Sequence, residues 1–279
     1  MLRTGFRAGK ESEIKAPLRV SSESGAGELA LPAGAAPDVA RIPLARRAFD
    51  LAALLLLAPP LLLPLLIVTI AVLLDSPGSV LFRARRMGYG GRAFEMIKFR
   101  TMRVDNAGHA VAGANDTRIT PVGGFLRATR LDELPQLWNV LRGEMSFVGP
   151  RPELKEFVEL HAEEYREILS VPPGITGPTQ LRYAGLEPHL LSLHADPERF
   201  YRERLLPDKV KLDLDYARTR SFAADLAVLG RTLILPLLMP FRRRGDERPA
   251  RRLALAPVLA TTAIGVLPLL FLLTLGSPR

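Results

Sequence analysis

Residues 129–152 read TRLDELPQLWNVLRGEMSFVGPRP, and the rest of the chain is interpreted around this stretch. It contains two adjacent carboxylates, Asp132 and Glu133, directly before an apolar run at helical spacing. Four arginines lie in it or beside it, namely Arg127, Arg130, Arg142 and Arg151. Paired acids surrounded by guanidinium groups are the residue types that phosphate chemistry requires.

Two interpretations of the acids are open from the residues alone. In the first, Asp132 caps the N-terminus of the following helix and Glu133 is an acid of its first turn. In the second, one carboxylate attacks a phosphorus atom while the other holds Mg²⁺. The arginines would then offset the repulsion between the attacking carboxylate and the phosphate.

Two long segments, residues 51–74 and 253–276, contain no charged side chain. Each is long enough to cross a hydrocarbon layer of about 30 Å as a helix. The first contains Pro59, Pro60 and Pro64 and has basic residues on both flanks. Because prolines interrupt helices and basic flanks stay on the cytoplasmic side, we predict a re-entrant helix–break–helix at 44–76. A kinked but complete span is the alternative.

Charge and composition exclude several classes of protein. The net charge is +9, but the basic residues cluster at the ends of the apolar runs, which indicates a membrane protein rather than a nucleic-acid binder. The chain has no cysteine, so it has neither disulfides nor thiolate metal sites. The four histidines show no zinc-ligand spacing, and no GxSxG motif is present.

The remaining patterns predict an α+β fold that is mostly helical. Residues 1–40 resemble a disordered tail, and residues 77–240 form a catalytic domain on the cytosolic face. A β-hairpin is predicted at 80–86 and 93–99, and residues 172–178 are predicted to be a loop. Helices are predicted at 153–171, 196–206, 207–219 and 221–239. A further apolar helix at 253–276 is predicted to span the membrane.

Five motifs occur in order: ARRAFD (45–50), KFRTM (98–102), RLDELPQLWNVLRGEMSFVGPRP (130–152), PGITG (173–177) and KLDLDYARTRSFAADLAVL (211–229). Together they resemble the bacterial sugar transferase family, the monotopic phosphoglycosyl transferases, over residues 44–237. The resemblance implies transfer of a sugar-1-phosphate from a UDP-sugar to polyprenyl phosphate, with release of UMP. It also implies Mg²⁺, a covalent aspartyl-phosphosugar intermediate and a place on the bacterial inner membrane in contact with its lipid.

The resemblance also implies roles for individual residues. Asp132 is expected to be the nucleophile and Glu133 the Mg²⁺ partner. Asp225 matches a further functional aspartate, although it is also explained as a charge at the start of an apolar helix. The expected substrate-binding residues are Lys98, Arg127, Arg130, Gln136 and Arg151, with Arg182 replacing an arginine that many members carry at a neighbouring position.

Such an enzyme would start assembly of an exopolysaccharide, capsule, O-antigen or glycoprotein glycan. A membrane scaffold that kept the fold without the chemistry is the competing hypothesis, disfavoured by the intact acids. The sequence leaves open the transferred sugar and the oligomeric state, for which a homo-oligomer is one alternative.

Overall fold

The computed structural model describes residues 42–103, 111, 113, 116–183 and 186–238. The predicted tail at 1–40 and the predicted apolar helix at 253–276 lie outside these residues. The helices are α1 Leu44–Asp75, α2 Pro121–Thr129, α3 Gln136–Arg142, α4 Lys155–Leu160, α5 Ala162–Ile168, α6 Pro178–Tyr183, α7 Glu187–Ser192, α8 Pro197–Phe200, α9 Leu206–Thr219 and α10 Phe222–Leu238. The strands are β1 Leu81–Met87, β2 Ala93–Phe99, β3 Ser146–Val148 and β4 Gly174–Thr176. The described chain is therefore mostly helical with little sheet, as the sequence predicted.

The apolar helix α1 differs from the predicted helix–break–helix. Helical structure runs through Pro59, Pro60 and Pro64 without interruption. Proline has the φ angle of a helix, so three prolines remove three N–H donors without ending the helical dihedrals. The helix is long and apolar enough to cross a membrane, and only 17% of its most apolar window is buried. A re-entrant path stays a prediction.

Both ends of α1 pack on the rest of the chain. Near its start, Asp50 and Leu54 are buried, and Leu54 belongs to a core cluster with Phe147 of β3. Near its end, Val68 and Val72 are buried in a second cluster that includes residues of β2 and α2. The rest of the helix exposes large apolar side chains, among them Leu55, Leu56, Leu62, Leu63, Leu66 and Ile67. One face of α1 thus packs on protein, and the opposite face is apolar and exposed.

The predicted β-hairpin is confirmed. β1 and β2 pair antiparallel, with Leu81 opposite Phe99 and Met87 opposite Ala93. The connecting glycines form a tight turn in which Gly90 has φ 69°, a conformation that favours glycine. The hairpin fixes Lys98 near the end of β2.

The segment 172–178, predicted as a loop, instead contributes β4, which pairs parallel with β3. Two glycines allow this close pairing, since a Cβ on Gly149 would lie 2.3 Å from a backbone oxygen and one on Gly174 would lie 2.0 Å from a backbone nitrogen. The loop prediction was wrong at 174–176 because the three prolines of this segment dominated the pattern. The sheet positions the residues that follow β3, including Arg151.

The helical second half differs from the sequence pattern mainly at its boundaries. The helix predicted at 153–171 is two helices, α4 and α5, separated at His161, whose φ of −133° is not helical. Pro207 lies in the first turn of α9, where a proline costs no hydrogen bond. A core cluster that contains Phe157 lies in this half of the chain. Its buried side chains come in part from α5, from the π-helical segment Tyr201–Leu205 and from α9.

Candidate active site

The two acids lie in a tight turn between α2 and α3. Arg130 ends α2 with φ 60° and is the one non-glycine residue of the described chain with positive φ. The next three residues, Leu131–Glu133, form a single 3₁₀ turn. Asp132 and Glu133 are each only 7% exposed. The capping interpretation is wrong, because α3 begins at Gln136 after Pro135 and has no side-chain cap.

Three cations converge on one oxygen of Glu133. Its Oε1 lies 3.3 Å from Nζ of Lys98, 3.3 Å from Nη1 of Arg130 and 3.4 Å from Nη2 of Arg151. Burial opposes ionisation of this carboxyl, but the charges of the three cations outweigh it and hold the pKa of Glu133 well below its usual range. Glu133 is therefore an anion that keeps the three cations in place.

Asp132 is in a different electrostatic state. Its Oδ1 is buried and has no hydrogen-bond partner among the residues that the structure describes. Burial, followed by the negative charge of Glu133, raises the pKa of Asp132. Arg127 provides part of the opposing positive charge, while its own pKa is lowered by burial. A buried carboxylate oxygen without a partner is unfavourable, and such atoms are found where a ligand completes the site.

We call Lys98, Arg127, Arg130 and Arg151 the cation cluster. Lys98 lies near the end of β2, Arg127 in the last turn of α2, Arg130 directly after α2, and Arg151 in the segment after β3. Burial lowers the pKa of Lys98, and Glu133 opposes this shift. Like charges gathered around two carboxylates form a binding site for a multiply charged anion.

The backbone at Arg151 is held from behind by buried polar groups. Its N–H donates to Oδ2 of Asp213 at 3.3 Å, and Oδ1 of Asp213 accepts from the Thr179 hydroxyl at 2.5 Å. Burial raises the pKa of Asp213 to about 7. Nearby, Lys209 donates to Glu153 at 2.9 Å. These contacts position Arg151 without using its guanidinium group.

Gln136 is the first residue of α3 and is buried. Its Nε2 donor has no partner among the described residues. The predicted binding residue thus carries a free donor just three residues after Glu133, where a substrate oxygen would satisfy it.

The structure places the other predicted residues elsewhere. Arg142 is exposed and pairs with Glu144, and Arg182 is exposed and pairs with Asp208 at 3.0 Å. Neither contacts Glu133 in the described contacts. The substrate role of Arg182 stays a prediction.

Asp225 also lies apart from the cation cluster, in a cluster we call the α1 clamp: Arg46, Tyr216 and Asp225. Nη2 of Arg46 lies 3.0 Å from Oδ2 of Asp225 and donates to the Tyr216 hydroxyl at 2.8 Å. Tyr216 in turn donates a short hydrogen bond to Asp225. Arg46 also donates to the carbonyl of Val148 in β3 at 2.7 Å. The contacts of the α1 clamp therefore join α1 to α9, α10 and β3.

Sequence reasoning missed the roles of Arg46, Tyr216 and Asp213. All three lie in motifs that carried the family resemblance, ARRAFD and KLDLDYA. The signal was present, but only the fold shows that residues 170 positions apart, Arg46 and Tyr216, share a hydrogen bond.

Fold and site together define a protein with a long apolar helix and a buried acid pair surrounded by cations. Comparison with known proteins is consistent with this class. A family model described as bacterial sugar transferase matches residues 42–238. The chain belongs to the bacterial sugar transferase family.

Three relatives illustrate the similarity. The UDP-glucose:undecaprenyl-phosphate glucose-1-phosphate transferase of Caulobacter vibrioides is 39% identical over 207 residues, which cover 72% of this chain and 73% of that protein. The exopolysaccharide production protein PSS of Rhizobium leguminosarum is 38% identical, over 69% of this chain and 94% of the relative.

An N-acetylgalactosaminephosphotransferase of Aeromonas hydrophila, which is named for undecaprenyl phosphate and a UDP-sugar, is 36% identical over 67% of this chain. The match spans only 42% of that relative's length. Relatives of similar identity are thus named for different sugars.

Proposed function

We propose that this protein transfers a sugar-1-phosphate from a UDP-sugar to undecaprenyl phosphate and releases UMP. The observation that carries the proposal is the pairing of Glu133, held by three cations, with Asp132, whose buried Oδ1 has no described partner. The names of the relatives supply the substrates, and the cation cluster supplies a site for a diphosphate and a phosphate.

In the proposed first step, a carboxylate oxygen of Asp132 attacks the phosphorus that bears the sugar. A bond forms between this oxygen and phosphorus, and the bond from phosphorus to the bridging oxygen of UMP breaks, so UMP leaves with the electron pair. In the second step an oxygen of undecaprenyl phosphate attacks the same phosphorus, and the bond to Asp132 breaks. Neither step needs a general base when the nucleophile is ionised, and the charges of Lys98, Arg130 and Arg127 favour the ionised form of Asp132 against the effect of burial on its pKa.

The cation cluster would serve both steps. Lys98 and Arg151 lie on the Glu133 side of the acid pair, and Arg127 is electrostatically coupled to Asp132. Their positive charge lowers the repulsion between an anionic nucleophile and an anionic phosphorus centre. Gln136 offers its free Nε2 to a substrate oxygen.

The acid pair also fits Mg²⁺. Magnesium in phosphoryl-transfer sites is usually held by one or two carboxylates together with substrate phosphates. The described residues contain no larger group of acids and histidines, and the unpartnered oxygen belongs to Asp132. We therefore propose that Glu133 and Asp132 hold the ion together with the diphosphate. When bound, it would neutralise charge on the diphosphate.

The exposed apolar side chains of α1 support a membrane location. We propose the bacterial inner membrane, with the acid pair on the cytosolic face near the lipid headgroups. Undecaprenyl phosphate would then reach the acid pair from the bilayer, while the UDP-sugar arrives from the cytosol. The resulting lipid-linked sugar would start an exopolysaccharide or related glycan, as the Rhizobium relative's name suggests.

The test is UMP release from UDP-glucose, UDP-galactose and UDP-N-acetylgalactosamine by the full chain in membranes, with undecaprenyl phosphate and Mg²⁺. We expect release with one donor and loss of at least about 10³-fold in the Asp132→Asn variant. Asp215→Asn, an exposed aspartate on α9, is the matched control and should keep full activity.

Two outcomes would contradict the proposal. Full activity of Asp132→Asn would exclude this residue as the nucleophile. Absence of UMP release with every donor, from a well-folded full chain, would favour a scaffold role. Mass spectrometry of protein mixed with donor alone should show a phosphosugar adduct on wild type and Asp215→Asn, and none on Asp132→Asn.

A further inference from the structure

Arg86 lies at the edge of the cation cluster and has no role in the proposed steps. It is the sixth residue of β1, opposite Phe94 of β2. The next residue, Met87, donates its N–H to the carbonyl of Glu153 at 2.9 Å. The end of β1 therefore lies against the segment that carries Arg151, two residues before Glu153.

Arg86 has no acidic partner within ion-pair distance among the described residues. Its Nη1 donates to a neutral group, the carbonyl of Arg85, at 3.1 Å. The nearby acid Glu153 is engaged by Lys209 at 2.9 Å and by the Tyr201 hydroxyl at 2.7 Å. A partly buried guanidinium without its own carboxylate is unusual.

The charges around Arg86 are mixed. Burial lowers the pKa of Arg86, the charges of Glu153 and Glu156 oppose this shift from beyond ion-pair distance, and the charge of Arg151 lowers the pKa further. The charge of Arg86 in turn contributes to the lowered pKa of Lys98, for which burial is the largest cause. Glu133 is already contacted by three other cations. Arg86 thus lies among cations that repel it and has no carboxylate in contact with its guanidinium group.

We propose that Arg86 is a further substrate-binding residue, which contacts the donor diphosphate on the Lys98 and Arg151 side of the acid pair. This inference rests on the proposed function for the identity of the anion. A guanidinium group matches phosphate oxygens in a two-point contact. An anion between Arg86, Lys98 and Arg151 would replace the repulsion among them by attraction.

A structural role and a substrate-binding role of Arg86 predict different effects on the stability of the protein without ligand. If Arg86 holds β1 in place, removing its charge lowers the thermal midpoint of the protein without ligand. If Arg86 makes no ion pair until an anion binds, removing its charge leaves that midpoint unchanged or raises it, and weakens binding of the anion. The sign of the shift separates the two roles.

The experiment measures UDP binding and thermal unfolding of the full chain in detergent. Arg86→Gln removes the charge and Arg86→Lys keeps it without the two-point geometry. Arg83→Gln is the control, since Arg83 lies on the same strand in an exposed pair with Glu95. We expect Arg86→Gln to weaken UDP binding at least tenfold, Arg86→Lys to weaken it less, and Arg83→Gln to have no effect. The thermal midpoint of Arg86→Gln without ligand should equal or exceed that of wild type.

Equal UDP affinity of Arg86→Gln and wild type would overturn the inference. So would a lower midpoint of Arg86→Gln with an unchanged UDP-induced rise. In steady-state assays the KM for the UDP-sugar should rise in Arg86→Gln, while a rise confined to undecaprenyl phosphate would overturn the assignment to the donor.

Inorganic pyrophosphate, used as a second probe, separates failure of this inference from failure of the proposed function. Pyrophosphate binding that depends on Arg86, in a protein that releases no UMP, would support the anion site while refuting the enzyme. UMP release with an unchanged donor KM in Arg86→Gln would support the enzyme while refuting this role of Arg86.

Discussion

The cation cluster and the α1 clamp both bury charge, but they balance it differently. In the α1 clamp one cation, Arg46, meets one carboxylate, Asp225, and a tyrosine hydroxyl completes the contacts. Around Asp132 and Glu133, four cations face two acids, and Oδ1 of Asp132 has no described partner. A buried charge set in which every charge has a partner is costly to break, because removing one partner leaves the other buried and unpaired. One that remains open is suited to a ligand.

The largest expected effect tests this difference directly. Asp225→Asn should lower the free energy of unfolding by about 3–5 kcal/mol, because Arg46 is left buried without its counter-ion. Asp132→Asn should not lower it at neutral pH. Burial raises the pKa of Asp132, so its ionised form destabilises the folded state above that pKa, and asparagine removes this effect.

Denaturation of both variants in detergent, beside Asp215→Asn, measures these two stabilities. Equal destabilisation of Asp132→Asn and Asp225→Asn would remove the distinction between the regions. Loss of the phosphosugar adduct in Asp225→Asn at full stability would return Asp225 to the catalytic group, as the sequence predicted.

A smaller effect concerns the packing of α2, the helix that carries Arg127. This helix lies close to the segment that follows β2, so that a Cβ on Gly123 would lie 2.1 Å from the carbonyl oxygen of Thr101. Gly123→Ala should therefore cost about 1–3 kcal/mol of stability. The neighbouring Gly124 has no atom nearer than 3.8 Å to such a Cβ, so Gly124→Ala should stabilise by up to about 1 kcal/mol.

Thermal unfolding of the two adjacent alanine variants is the measurement. Similar midpoints for both would show that α2 shifts to accept the methyl group. In that event close backbone packing would not fix the position of Arg127.

A last effect is a pH dependence of stability from Asp213, behind Arg151, which changes gradually with pH. Its pKa is about 7 in the folded protein against an ordinary 3.8, so the folded state keeps a proton that the unfolded chain has released between these values. Stability from this group is therefore lost as pH rises from about 4 to 7, with a slope of about 1 kcal/mol per pH unit. The stability difference between wild type and Asp213→Asn should change across this range, whereas the difference from Asp215→Asn should stay constant. A constant difference for Asp213→Asn would contradict the shift.

Local patterns in the sequence predicted the hairpin, the helical class and the acid pair. Alternating apolar residues and a glycine turn are sufficient for β1 and β2. The pattern did not predict β4, whose pairing with β3 depends on a contact between distant glycines, Gly149 and Gly174. It also could not separate Asp132 from Asp225, since the sequence does not show which distant charges each acid meets in the fold. Only the contacts assign one to an open charge set and the other to a closed one.

The packing of both ends of α1 has a practical consequence for preparing the protein. A chain that starts after Asp75 would lack three interactions made by α1. These are the ion pair of Arg46 with Asp225, the hydrogen bond that Asp50 accepts from Ser146, and the packing of Val72 in its core cluster. The apolar helix is therefore part of the folding unit and not a removable anchor. Attempts at a water-soluble form should therefore replace the exposed leucines of α1 and keep the helix.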